Sequence, residues 1–265
     1  MAAEELDWGS PRPTRTILGH EVLLLLGVSL GYSAIRSVLS LIDKLTVHVP
    51  LNQQAAELNT AVTPDRPWLD LTIQLTRIAF GVVPALFAIH LLNRGPGLGG
   101  RLGAPEILGY ARRRPAFDLG GGALLAAAIG IPGLGLYLAA KALGFNATVV
   151  ASGLGEVWWA VPVLVLAAVE NAVLEEVVVV GYLLTRLRQL GWSTGTAIAT
   201  SAVLRGSYHL YQGFGAFVGN AIMGVVFALV YLRWRRIGPL IVAHTLLDIV
   251  SFVGYALLAD HLKWL

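Results

Sequence analysis

The chain has no cysteine and little charge. Without a thiol anywhere in its 265 residues, disulfide bonds, thiolate nucleophiles and Cys-ligated metals are excluded. Charged residues make up 13% of the sequence, about half of the ~25% usual in a soluble domain. Hydrophobic residues reach 56% and mean hydropathy is +0.70, which together describe an integral membrane protein. The first residues, "MAAEELDWGSPRPTRTILGH", also lack the basic start and short apolar core of a cleaved signal peptide. They read as a short soluble tail over 1–16. No internal repeat is visible, and 17–265 read as one transmembrane domain.

Apolar sequence of lipid length fills most of the chain. A helix needs about 20 apolar residues to cross the hydrocarbon core. Seven segments meet or approach that length, at about 17–42, 68–92, 117–143, 157–185, 193–209, 213–232 and 237–259. The expectation is an all-α, polytopic transmembrane helix bundle of about seven spans, or eight. The first segment carries Arg36, and the fifth is short and weakly apolar.

Charge gives the orientation. With the N-terminus inside, the inner segments hold twelve basic residues: Arg12, Arg15, Arg94, Arg101, Arg112, Arg113, Arg114, Arg186, Arg188, Arg233, Arg235 and Arg236. The outer segments hold three, Lys44, Arg66 and Lys263. This bias follows the positive-inside rule and predicts a cytoplasmic N-terminus, a cytoplasmic loop at 93–116 and an external C-terminus. The runs "ARRRP" and "RWRR" read as anchors at an anionic membrane surface rather than as nucleic-acid contacts. The expected partner is therefore the lipid bilayer and not nucleic acid. Cys-free, Ala/Gly/Val/Arg-rich usage leans bacterial, with a plasma-membrane location.

Against this apolar background, "VENAVLEEVVVVGYLL" (Val169–Leu184) places three carboxylates in a lipid-length run. A charged side chain at the centre of a membrane helix costs ~2.5–3.5 kcal/mol on insertion scales, so such residues face a cavity or a partner and mark function. The polar residues inside segments are few. The fourth segment has Glu170, Asn171, Glu175 and Glu176; the fifth ends with Arg205, Tyr208, His209, Tyr211 and Gln212; the sixth has Asn220; the seventh has His244 and Asp248. Asn171 and Glu175, Arg205 and His209, and His244 and Asp248 are each four apart, so each pair shares a helix face. Glu176 lies about 100° round from Glu175, so one of the two can enter a site while the other braces it. Two carboxylates, two histidines, an Asn and an Asp from four helices suffice for hydrolysis: a base for water, a His partner and donors for an oxyanion. His209, His244 and a Glu such as Glu175 also form a three-ligand zinc set with an open water position. No HExxH is present, and the choice between a glutamate-activated and a zinc-activated water stays open. His20, His48, His90 and His261 lie outside this constellation.

The order of these elements resembles the CAAX-protease and bacteriocin-processing (CPBP, also called Abi) family of intramembrane peptidases. "EEVVVVGYLL" is similar to that family's first motif, a Glu pair followed by an aliphatic stretch, Arg, Gly and an apolar tail. "RGSYHLYQG" resembles the second, "GNAIMGVVFALVY" the third helix with its Asn, and "PLIVAHTLLDIV" the fourth, a His with Asn or Asp at i+4. The resemblance covers about 165–255. It implies an endopeptidase cutting a peptide bond of a membrane-associated protein or peptide. Glu175 would be its base, Glu176 a brace, His209 an orienting partner, and His244 with Asp248 the carbonyl support. Asn171, Asn220 and Arg205 would stand behind them. Two positions depart from the pattern: Val180 stands where the family has Arg, and Arg205 where it usually has an aromatic. The expectation is that Arg205 reaches Glu176 from the neighbouring helix and replaces the missing pair. Two other functions fit the composition, a catalytically inactive family member acting in membrane assembly and a carboxylate-dependent transporter.

Overall fold

The computed structural model describes residues 15–94 and 103–258. Most of the N-terminal tail, Arg101, and the C-terminal segment with His261 and Lys263 lie outside the described residues, and with them the sidedness expected of the C-terminus. Every expected apolar segment contains helix. In chain order these are α1 (Arg15–Gly27), α2 (Leu30–Thr46), α3 (Pro67–Gly81), α4 (Val83–Arg94), a short α5 (Ala104–Ile107), α6 (Pro115–Ala142), α7 (Ala160–Glu175), a π-helical segment (Glu176–Tyr182), α8 (Leu183–Gln189), α9 (Thr194–Ser207), α10 (Phe214–Trp234) and α11 (Gly238–Leu258). Local chemistry sets several ends. Proline opens α3 and α6, where its missing N–H is no loss. Ser193 caps α9 by accepting from Thr196 N at 3.1 Å. Arg235 in the left-handed region (φ 54°) stops α10. One feature was not expected of an all-α chain: β1 (Ala55–Glu57) and β2 (Thr148–Val150) form a two-stranded parallel sheet.

The expected count of seven spans does not hold. Among the described residues, four helices are long and apolar enough to cross a membrane, over Pro67–Arg94, Pro115–Ala142, Phe214–Trp234 and Gly238–Leu258, or five if the bent α1–α2 pair counts as one. The first segment is broken at 28–29, where α1 and α2 meet at 51°. The fifth shrinks to the 14 residues of α9, about 21 Å at 1.5 Å per residue and short of a ~30 Å core. The fourth is long enough, since helix runs without interruption from 160 to 189. Every 18-residue window of that run, however, holds at least three charged side chains. Two of them in every window, Glu175 and Glu176, belong to the site described below.

Inter-helix contacts sort the connections into two ends. At one end β1 pairs with β2, and Ala147 N and Phe214 N bond to Gln212 O and Phe145 O. Trp68 also packs on Trp158 there at 6.2 Å. At the other end Ile237 N bonds to Leu108 O, and Arg186 reaches Leu91 O at 2.6 Å and Glu21 at 2.7 Å. The second end gathers Arg94, Arg112, Arg113, Arg114, Arg188, Arg233 and Arg235, whereas the first carries Lys44, Arg66 and Lys141.

Small residues let the site helices close up. A Cβ on Gly122 of α6 would lie 2.5 Å from Val242 Cβ of α11, and one on Gly130 2.8 Å from a Leu247 methyl. Close backbone approach of this kind is how membrane helices pack without a hydrophobic driving force. It seats α11 against α6, and α11 also packs on α7, which brings His244 and Asp248 toward Glu175.

Candidate active site

Glu175 ends α7 and Glu176 begins the π segment, at the midpoint of the 160–189 run. The four valines 177–180 are β-branched and lose side-chain freedom in an α-helix. Here the chain takes the wider register, with Leu183 N bonding to Val178 O, five residues back. Such insertions are rare and collect at functional sites. The segment is buried throughout. Ser201 of α9 donates to Val179 O at 2.9 Å, tying the widened turn to the next helix.

The expected interhelical pair forms. Arg205 Nη2 is 2.5 Å from Glu176 Oε1, and both side chains are fully buried. The guanidinium lies over the Phe227 ring at 5.3 Å and comes within 3.8 Å of Glu175 Oε2. His244 Nδ1 meets the same Glu176 oxygen at 2.8 Å. Glu176 thus holds Arg205 and His244 together from behind, while its Oε2 has no hydrogen-bond partner among the described residues. Val180, where the family's Arg would stand, is buried in the apolar core instead.

Glu175 occupies the centre. Its Oε2 accepts from Tyr208 Oη at 2.7 Å and lies 3.9 Å from His244 Nε2. Its Oε1 lies 3.9 Å from His209 Nε2, a buried atom with no hydrogen-bond partner among the described residues. Separations of 3.9 Å are too long for direct hydrogen bonds and suit a bridging water. Asp248 Oδ1 stands 3.7 Å from His244 Nε2, and Asn171 Nδ2 donates to Asp248 Oδ2 at 3.5 Å. Glu175, Glu176, His209, His244, Asp248, Asn171 and Arg205 are therefore linked in one cluster drawn from α7, the π segment, the end of α9 and α11.

Asn220 is not part of it. Its amide donates to Ala216 O of its own helix at 3.0 Å. α10 contributes Phe227 instead, whose ring faces both Arg205 and His244, the latter at 6.4 Å edge-on. Phe227 lies seven residues beyond Asn220, two turns along the same stripe, and as an apolar residue in an apolar helix it carries no signal in the sequence. Tyr208, one of the polar residues that end the fifth segment, carries no expected role, and on a regular helix it would lie about 100° round from His209. That geometry does not apply, because α9 stops at Ser207 and Tyr208 and His209 occupy the turn that follows. That turn presents both side chains to Glu175.

The metal set also differs from expectation. Among the described residues, the three groups whose ligand atoms lie within 4.8 Å of one another are Glu175, Glu176 and His244, without His209. This set fits a divalent cation poorly. Glu176 and His244 are already bonded to each other, and the Arg205 guanidinium stands 2.5 and 3.8 Å from the two carboxylates, so a cation would displace or repel it.

Residues 157–250 match the family described as type II CAAX prenyl endopeptidase Rce1-like. The match places this region in the CAAX-protease (CPBP) family and bears out the resemblance drawn from the four motifs. It covers the positions of Glu175, Glu176, Tyr208, His209, His244 and Asp248 and ends within α11. No curated protein and no solved structure matches the chain.

Proposed function

We propose that this multi-pass membrane protein is an intramembrane endopeptidase that hydrolyses a peptide bond of a membrane-associated protein or peptide. One observation carries the reading: Glu175 is flanked at 3.9 Å by His209 on one oxygen and by His244 on the other. Tyr208 fixes one of those oxygens, so Oε1 is left to act as base. A water between Oε1 and His209 Nε2 gives its proton to Glu175 while its oxygen bonds to the scissile carbonyl carbon. The carbonyl electron pair moves to oxygen, where His244 Nε2–H, steadied behind by Glu176, supplies a hydrogen bond. Glu175 then returns the proton to the leaving nitrogen as the C–N bond breaks. Asp248, held by Asn171, orients the His244 ring. The Arg205 pair with Glu176 counts against an inactive family member, because it fills the role left empty at Val180. The match to a prenyl endopeptidase family and the apolar surroundings point to a lipid-borne substrate.

The test is cleavage of membrane-inserted peptides by the purified chain in proteoliposomes, with products identified by mass spectrometry. Glu175→Gln is expected to lower the rate by about 10²–10⁴-fold, the range of general-base contributions, and a divalent-metal chelator is expected to leave wild-type activity intact. Cleavage by Glu175→Gln at the wild-type rate refutes the assignment of the base.

A further inference from the structure

Three of the four span-length helices begin or end on one small surface. α6 starts at Pro115, α10 stops at Trp234 and α11 starts at Gly238. The segments between them are interlocked. Ile237 N bonds to Leu108 O at 2.9 Å. The buried Arg236 makes a two-pronged pair with Asp118, Nε to Oδ1 at 2.8 Å and Nη2 to Oδ2 at 2.6 Å. Its Nη1 donates to the carbonyls of Arg112 and Gly109. Gly109 adopts a left-handed backbone (φ 77°) and takes the 235–236 backbone directly against its Cα, a fit that only glycine allows.

This brace holds five other arginines on the same surface. Arg112, Arg113, Arg114, Arg233 and Arg235 are all exposed. Asp118 is taken up by Arg236, and none of the five is paired with a carboxylate among the described residues. Beside them Phe117 and Trp234 meet edge-on at 5.2 Å, and Arg114 lies over the Phe117 ring at 5.3 Å. Trp rings at the ends of spans sit at headgroup depth, and guanidinium forks match phosphate oxygens.

We propose that this surface is a binding site for the phosphate headgroup of an anionic phospholipid in the adjoining leaflet. The arginines supply the charge. Arg236 and Gly109 hold the two segments in register, and the Phe117–Trp234 pair meets the glycerol and upper acyl region. A lipid is favoured over a free anion because the site lies where three spans leave the bilayer, with an aromatic pair on its apolar side.

The full chain is reconstituted in nanodiscs of phosphatidylcholine and phosphatidylglycerol, extracted in mild detergent and examined by native mass spectrometry. Wild type is expected to retain phosphatidylglycerol in clear excess over its share of the bilayer, and the excess is expected to fall at high salt. Arg112→Gln with Arg235→Gln leaves Arg113, Arg114 and Arg233 to keep the orientation, and is expected to lose the preference by about tenfold or more, given roughly fivefold for each basic side chain at an anionic surface. Equal retention of the two lipids by wild type overturns the proposal without recourse to any variant. So does unchanged retention in the double variant, or full displacement of the lipid by inorganic phosphate, which would make this a site for the free anion.

Discussion

Arg205 shows how one position changes the meaning of another. An ion pair with both members fully buried adds little net stability over an apolar pair, but removing one partner strands the other. Arg205→Ala is expected to destabilise the protein by about 3–5 kcal/mol, read as a lower thermal midpoint in detergent, and to abolish peptide cleavage. Val180→Arg alone is expected to destabilise as well, because Val180 is fully buried in the apolar core and Arg205 already occupies Glu176. In the Arg205→Ala background the same change is expected to recover part of the loss, since it restores a cation one turn from Glu176. Additive losses in the double variant, measured as a mutant cycle, would show that the two positions do not share one partner.

The elements that matter most for the site are the irregular ones. The π segment and the turn after α9 are where backbone periodicity fails, and Glu176, Tyr208 and His209 sit on them. The turn is located by close packing of α9 on α10. A Cβ on Gly206 would fall 2.7 Å from Phe217 O and 2.8 Å from the Phe217 ring. A backbone oxygen cannot swing aside as a flexible side chain can. Gly206→Ala is therefore expected to push α9 from α10, costing about 1–3 kcal/mol by overpacking. It should also lower cleavage more than stability alone explains, since His209 lies three residues on. Circular dichroism melts paired with the cleavage assay read both effects, and an unchanged melting midpoint would remove the packing argument.

At the scale of the whole molecule, the two ends of the bundle are distinguished by contacts, and charge tells which is which. The end with Arg112–Arg114 and Arg233–Arg236 is expected to be cytoplasmic and the end with the β1–β2 sheet external. The absence of cysteine makes this directly testable by single-cysteine labelling without background. In intact cells a membrane-impermeant maleimide is expected to label Asp65→Cys, beside the β1 end, and to label Ala111→Cys only after permeabilisation. Both positions are exposed. Labelling of Ala111→Cys from outside, with Asp65→Cys protected, would invert the orientation.

Apolar length, arginine bias and the few polar residues inside apolar runs are one-dimensional quantities. They were enough to reveal a helical membrane protein, the helices involved, and the cluster of Glu175, Glu176, His209, His244 and Asp248. Even the Arg205–Glu176 pair could be read from sequence, because an unpaired carboxylate in an apolar helix demands a cation, the Arg that the family resemblance leads one to expect is missing at Val180, and Arg205 shares a face with His209. What depended on three-dimensional packing was of another kind. Whether a segment spans depends on where helices bend and stop, as at 28–29 and after Ser207, and no hydropathy window contains that. Tyr208 reaches Glu175 only because the helix ends before it. Phe227 becomes part of the site through what packs on it, and Asn220 leaves it because its own helix satisfies it. Periodicity predicts which residues share a face while the helix is regular. Where the backbone changes register, only the packed neighbours decide which way a side chain points.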